Sequence, residues 1–207
     1  MPALTAVYLD LQCPFSLRAW RWLVALSPAH APGPARSPAH APEPARPGRP
    51  AVDVRPYWRS PGESGVQPWD AEEPSWSLDL LMLGEYARDH GGWVHRDYVG
   101  VALHAVHAEK LDVSTPEGLG ELASRASLDL TAFTAERERW RAEVGLHHRE
   151  AEDDFGVFET PALVFDDDRA VLVRLVDDVQ GTSAARELLD HVADLTRHPL
   201  AELRRTA

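Results

Sequence analysis

Val7-Tyr8-Leu9-Asp10-Leu11-Gln12-Cys13-Pro14-Phe15-Ser16 holds the single cysteine of the chain at a change of hydrophobic period. Val7, Tyr8 and Leu9 read as a short buried strand. From Phe15 the apolar residues return as Phe15, Ala19, Trp22, Leu23 and Leu26, which is helical spacing. Cys13 therefore stands where a strand turns into a helix. A thiol at a helix N-terminus faces unpaired backbone N–H groups and the positive end of the dipole, and both favour the thiolate. Pro14 falls in the first turn, where a missing N–H is no loss.

Outward from this junction, composition sets the class. The chain has 207 residues, 44% of them hydrophobic. That suffices for a sizeable core, in one domain or one domain with an insertion. Its 33 acidic against 21 basic residues leave a net charge of −12, which argues against tracking nucleic acid or anionic lipid. No run of about 18 apolar residues occurs, so no membrane span is expected. No basic segment precedes the first strand, so no signal peptide is expected. One cysteine excludes an intrachain disulfide and fits a reducing cytoplasm. Lys110 is the only lysine, a bias that fits a GC-rich bacterial coding sequence. The oligomeric state is left open.

Residues 27–36 and 37–46 are a tandem duplication of Ser-Pro-Ala-His-Ala-Pro-Gly/Glu-Pro-Ala-Arg, differing only at Gly33 and Glu43. The stretch 27–50 holds 8 of the 17 prolines and almost nothing that packs, so it is read as an extended, disordered Pro/Ala-rich insertion. Ala51–Trp58 alternates like a strand, with Pro56 marking an end or an edge. Residues 59–75 read as loop. Helical periods follow over Ser75–His90, Trp93–Lys110, Pro116–Ser127 and Leu130–Glu152, with Gly91-Gly92 as a stop and Ser114-Thr115-Pro116-Glu117 as a start. Thr160–Phe165 and Arg169–Val176 then read as two strands joined by an Asp166-Asp167-Asp168 turn. From Ser183 a last helix places Ala185, Leu188, Leu189, Val192 and Leu195 on one face. The order is β-α-β, helices, then β-β-α.

Three motifs carry a resemblance. Asp10-Leu11-Gln12-Cys13-Pro14-Phe15-Ser16 is similar to the Asp-x-x-Cys-Pro-x-Cys of DsbA-type proteins. Gly156-Val157-Phe158-Glu159-Thr160-Pro161-Ala162-Leu163-Val164-Phe165 is similar to their Gly-Val-x-Gly-Thr-Pro-x-x-Val-Phe. Arg197-His198-Pro199-Leu200-Ala201-Glu202-Leu203-Arg204-Arg205 resembles the basic tails of actinobacterial members. The resemblance implies an α/β, thioredoxin-like fold from residues 1–58 and 155–207, interrupted by an inserted helical domain at 75–152. It implies a cis Thr160–Pro161 bond facing Cys13, and a substrate groove that includes Pro14, Phe15, Thr160 and Pro161. The chain departs from the pattern twice: Ser16 replaces the resolving cysteine, and Glu159 stands where glycine is usual. Kappa-class glutathione transferases and hydroxychromene-carboxylate isomerases share the architecture, but use a serine here and lack the cysteine.

A lone attacking thiol implies a monothiol route. Cys13 would form a mixed disulfide, and release would need an external thiol such as glutathione or mycothiol. Ser16 is either a hydrogen-bond donor to the Cys13 thiolate or an ordinary first-turn residue. The other readings are a non-catalytic thioredoxin-like binding module and a transferase or isomerase of the kappa type. Trp20 and Trp22 read as core and groove wall. His104 with His107, and His147 with His148, lack a third ligand at metal spacing, so no metal site is expected. Glu150, Glu152, Asp153 and Asp154 read as a solvated face. No glycine-rich phosphate loop occurs, so no nucleotide cofactor is expected.

Overall fold

The computed structural model describes residues 2–26, 52–59, 66–71 and 75–198. The duplicated segment 27–50 and the tail from 199 onward lie outside the described residues. The order is β1 (Leu4–Leu9), α1 (Pro14–Leu26), β2 (Asp53–Pro56), α2 (Trp76–Asp89), α3 (Gly92–His104), α4 (Pro116–Arg125), α5 (Leu130–Ala135), α6 (Arg137–Asp153), β3 (Ala162–Phe165), β4 (Ala170–Leu172) and α7 (Thr182–Leu195). The strands form one mixed sheet in the order β2-β1-β3-β4. β1 runs parallel to β2 and antiparallel to β3, and β3 is antiparallel to β4. The protein is thus mixed α/β with a four-stranded sheet.

Strand alternation divides the core. Val7, Leu9, Val54, Leu163 and Phe165 join one large apolar cluster with Trp22, Leu23 and Leu189 of the helices α1 and α7. Ala6, Tyr8, Ala162 and Val164 point the other way, onto Tyr57, Ala151 and Val157. Leu4 breaks the parity and sides with Val7. The register against β3 slips between Leu4 and Ala6, and a bulge of one residue moves a side chain to the opposite face. The indole of Trp22, fully buried, donates to the Ala185 carbonyl at 2.9 Å and ties α1 to α7.

β2 is an edge strand, whose outer carbonyls invite unwanted pairing. Arg88 of α2 donates to Val54 O and Arg96 of α3 to Val52 O, so two guanidinium groups close that edge. Arg88 also meets Asp53 at 2.8 Å and the buried Glu85 at 3.0 Å.

The helical block differs from the sequence reading in two places. Trp93–Lys110 is not one α-helix: α3 ends at His104, and a π-helical turn covers Ala105–Glu109, stopped by Lys110 at φ 60°. Leu130–Glu152 is likewise broken, because Glu136 leaves the helical region at φ −117°, ψ 23°. No glycine or proline marks either site. The Thr115 start is present as expected. Its hydroxyl accepts from Gly118 N at 3.1 Å, with Pro116 in the first turn. Thr115→Ala is expected to lower the urea midpoint by about 1 kcal/mol equivalent with an unchanged denaturant slope.

Of the expected solvated face Glu150 is half-buried, whereas Glu152, like Asp153 and Asp154, is exposed. The end of α6 crosses the sheet, so Glu150 accepts from Tyr8 Oη at 3.0 Å and pairs with Arg55 at 2.6 Å. Glu152 accepts from Tyr57 Oη at 3.1 Å. No helix among the described residues is long and apolar enough to cross a membrane.

Candidate functional site

Asp10 builds the loop that carries the thiol. It is 2% exposed, at the end of β1. One carboxylate oxygen accepts from Gln12 N at 3.0 Å, which folds the chain into an Asx-type turn. The other accepts from Gln12 Nε2 at 2.9 Å and Arg59 N at 3.2 Å. The Asp10 carbonyl accepts from Cys13 N at 3.0 Å, and Tyr57 N donates to Leu9 O at 3.0 Å. The loop is therefore fastened to the segment that follows β2. Burial pushes the Asp10 carboxyl up to about 6, against the opposing pull of the Gln12 and Arg59 hydrogen bonds.

Cys13 immediately precedes α1, half-buried, and its carbonyl accepts from Ser16 N at 3.0 Å. Its thiol donates to the Thr160 carbonyl, with Sγ 3.5 Å from the oxygen. The Thr160–Pro161 bond is cis. Residues 147 positions apart are thus brought together. Pro14 is exposed and Phe15 half-buried, with Arg174 stacked over the Phe15 ring at 5.2 Å. Ser16 is fully buried, and its hydroxyl has no hydrogen-bond partner among the described residues. The thiol's own hydrogen bond goes to Thr160 rather than to Ser16.

Three side chains at this site carried no signal as a group in the sequence. Glu159 sits between two arginines, 3.1 Å from Arg59 Nη1 and 2.8 Å from Arg174 Nη2. Each member comes from a segment that meets the Cys13 loop: Glu159 precedes Thr160, the Arg59 backbone is bonded to Asp10 and Gln12, and Arg174 lies over Phe15. A fourth residue supports the loop from the helical block. His107, on the π-helical turn, places Nε2 2.9 Å from Leu11 O, and burial lowers its basicity. A single π turn often marks a functional position, but its site is not readable from the period alone.

The remaining histidines have other surroundings. His104 lies 3.3 Å from Glu109, and His147 lies 3.7 Å from Glu85 and 3.6 Å from Glu150. His148 stacks on Tyr57 with ring centroids 4.5 Å apart. Among the described residues no three His, Cys, Asp or Glu side chains are grouped to hold a metal ion. The chain matches no known protein family and no curated protein.

Proposed function

We propose that this chain is a thiol–disulfide exchange protein of the DsbA type, working through Cys13 alone with a low-molecular-weight thiol as co-substrate. The observation that carries the reading is the contact of Cys13 Sγ with the Thr160 carbonyl at 3.5 Å. Supporting it are the β-α-β and β-β-α order and the strand order β2-β1-β3-β4. Both suit a thioredoxin-like unit of residues 1–58 and 155–207 with the helices of 75–152 inserted. A lone thiol suits a reducing cytoplasm.

The chemistry follows from the groups present. The Cys13 thiolate attacks one sulfur of a disulfide, a new S–S bond forms, and the other sulfur leaves with the electron pair as a thiolate. A second small thiol then attacks the mixed disulfide, restores Cys13 and carries away the adduct. Deprotonation removes the donor in the Sγ···Thr160 contact and turns it repulsive. The buried Ser16 hydroxyl, in the same helical turn, has a proton to offer the ionised sulfur in its place. Phe15, Pro14 and the Thr160-Pro161 backbone would hold the substrate against the thiol.

Intact mass after incubation with glutathione disulfide or mycothiol disulfide tests the reading. One adduct on Cys13, removed by the matching free thiol, is the expected result. A Cys13 that stays unmodified by every small disulfide at neutral pH would end the exchange reading. Ser16→Cys is expected to close a disulfide between positions 13 and 16 under mild oxidant, because positions three apart on a first turn are neighbours. The variant is also expected to turn over protein disulfides faster than wild type. An open dithiol after oxidation would count against this site geometry.

A further inference from the structure

The structure assigns a substrate class to this thiol: we infer that Arg59 and Arg174 select small disulfides bearing carboxylates, of the glutathione type, over uncharged ones of the mycothiol type. The inference rests on Cys13 being the exchanging thiol proposed above. Its own basis is the Arg59–Glu159–Arg174 triad. Two guanidinium groups share one carboxylate, at 3.1 and 2.8 Å, while the Asp10 carboxylate, which also attracts Arg59, is buried and already hydrogen-bonded to Gln12 and the Arg59 backbone.

The triad is also open to exchange. The side chains of Arg59 and Arg174 are 61% and 41% exposed, and ion pairs with that much solvent hold weakly. A substrate carboxylate can therefore take over an arginine from Glu159. The planar guanidinium fork matches a carboxylate with two parallel hydrogen bonds. Arg174 lies over the Phe15 ring at 5.2 Å, which keeps its guanidinium beside the residue two after Cys13. Each half of glutathione disulfide carries one more carboxylate than ammonium group. The reaction also sharpens the match: as the Cys13–S bond forms, the departing sulfur takes the electron pair, and its negative charge grows next to the arginines. Glu159 holds both cations until a substrate carboxylate competes for one of them.

The test compares second-order rate constants for adduct formation on Cys13 with glutathione disulfide and with bis(2-hydroxyethyl) disulfide, an uncharged probe. At low salt the wild type is expected to favour glutathione disulfide by about tenfold beyond the ratio shown by a free cysteine peptide, the equivalent of about 1.4 kcal/mol. Arg59→Gln/Arg174→Gln is expected to bring that selectivity close to one. Glu159→Gln is expected to raise it about threefold, and added salt to erode it. A wild type with no selectivity, or selectivity unchanged in both variants, overturns the inference while leaving thiol exchange standing. No adduct with either probe overturns the exchange reading, and this inference with it.

Discussion

Cys13→Ala is expected to abolish thiol transfer to every small disulfide while leaving the folding free energy within about 0.5 kcal/mol of wild type. The first half follows from chemistry. The chain contains one sulfur nucleophile, and alanine cannot form the mixed disulfide on which both steps depend. The second half follows from what the sulfur touches. The described contact is one long hydrogen bond to Thr160 O at 3.5 Å, and a thiol is a weak donor. The bonds that shape the loop are made by backbone and Asp10: Cys13 N to Asp10 O, Ser16 N to Cys13 O, and Gln12 N to Asp10 Oδ1, all at 3.0 Å. Alanine keeps each of them. Thiol transfer at the wild-type rate in the variant would end the exchange reading. A loss of several kcal/mol with intact transfer would make Cys13 a packing residue instead.

The parts legible in the sequence are those with local signals. The strand-to-helix junction at Cys13 shows because the hydrophobic period changes there. The Thr115 start shows because hydroxyl and proline sit at fixed offsets from the first turn. The broken helices do not show: apolar spacing runs on through Glu136 and Ala105, where only the backbone departs. Glu150, half-buried, and the tyrosine contact of the exposed Glu152 went unread for a related reason. A carboxylate reads as solvated until a tyrosine or arginine from another strand meets it, and Tyr8, Arg55 and Tyr57 come from far along the chain. In the Arg59–Glu159–Arg174 triad Arg59 and Glu159 are 100 residues apart, a distance at which no periodicity operates. Glu159 stood out only as a departure from a resembling motif.

His95 was equally invisible, one histidine among ten, yet it and Asp10 are expected to dominate the acid response, with opposite signs. His95 is 5% exposed and lines a small cavity with Pro56, Leu81, Glu85 and Tyr98. Burial, with the Arg88 charge adding to it and Glu85 and Asp53 opposing, pushes its pKa down from 6.5 to about 3. Below pH 6.5 the unfolded chain takes up a proton that the folded state refuses. Stability is therefore lost as pH falls, at up to about 1.4 kcal/mol per pH unit. Asp10 works the other way. Its folded pKa is raised from 3.8 to about 6, so the folded state binds its proton first, and acidification below pH 6 restores stability at the same limiting slope. Above the range where Glu85 and Asp53, both held low, begin to titrate, the two slopes largely cancel. Wild-type stability is expected to change less from pH 6 to 4.5 in urea titrations than that of either variant below, with His107 and His148, held low by burial, and Asp79 and Asp97, held high, adding contributions of opposite sign. Asp10→Asn is expected to expose the histidine and lose about 2–3 kcal/mol between pH 6.5 and 4.5. His95→Gln is expected to expose the aspartate and gain about 1.5 kcal/mol between pH 6 and 4.5. Only the slopes are compared, so a constant penalty from either substitution does not enter. Three parallel profiles would show that neither buried group governs the acid response.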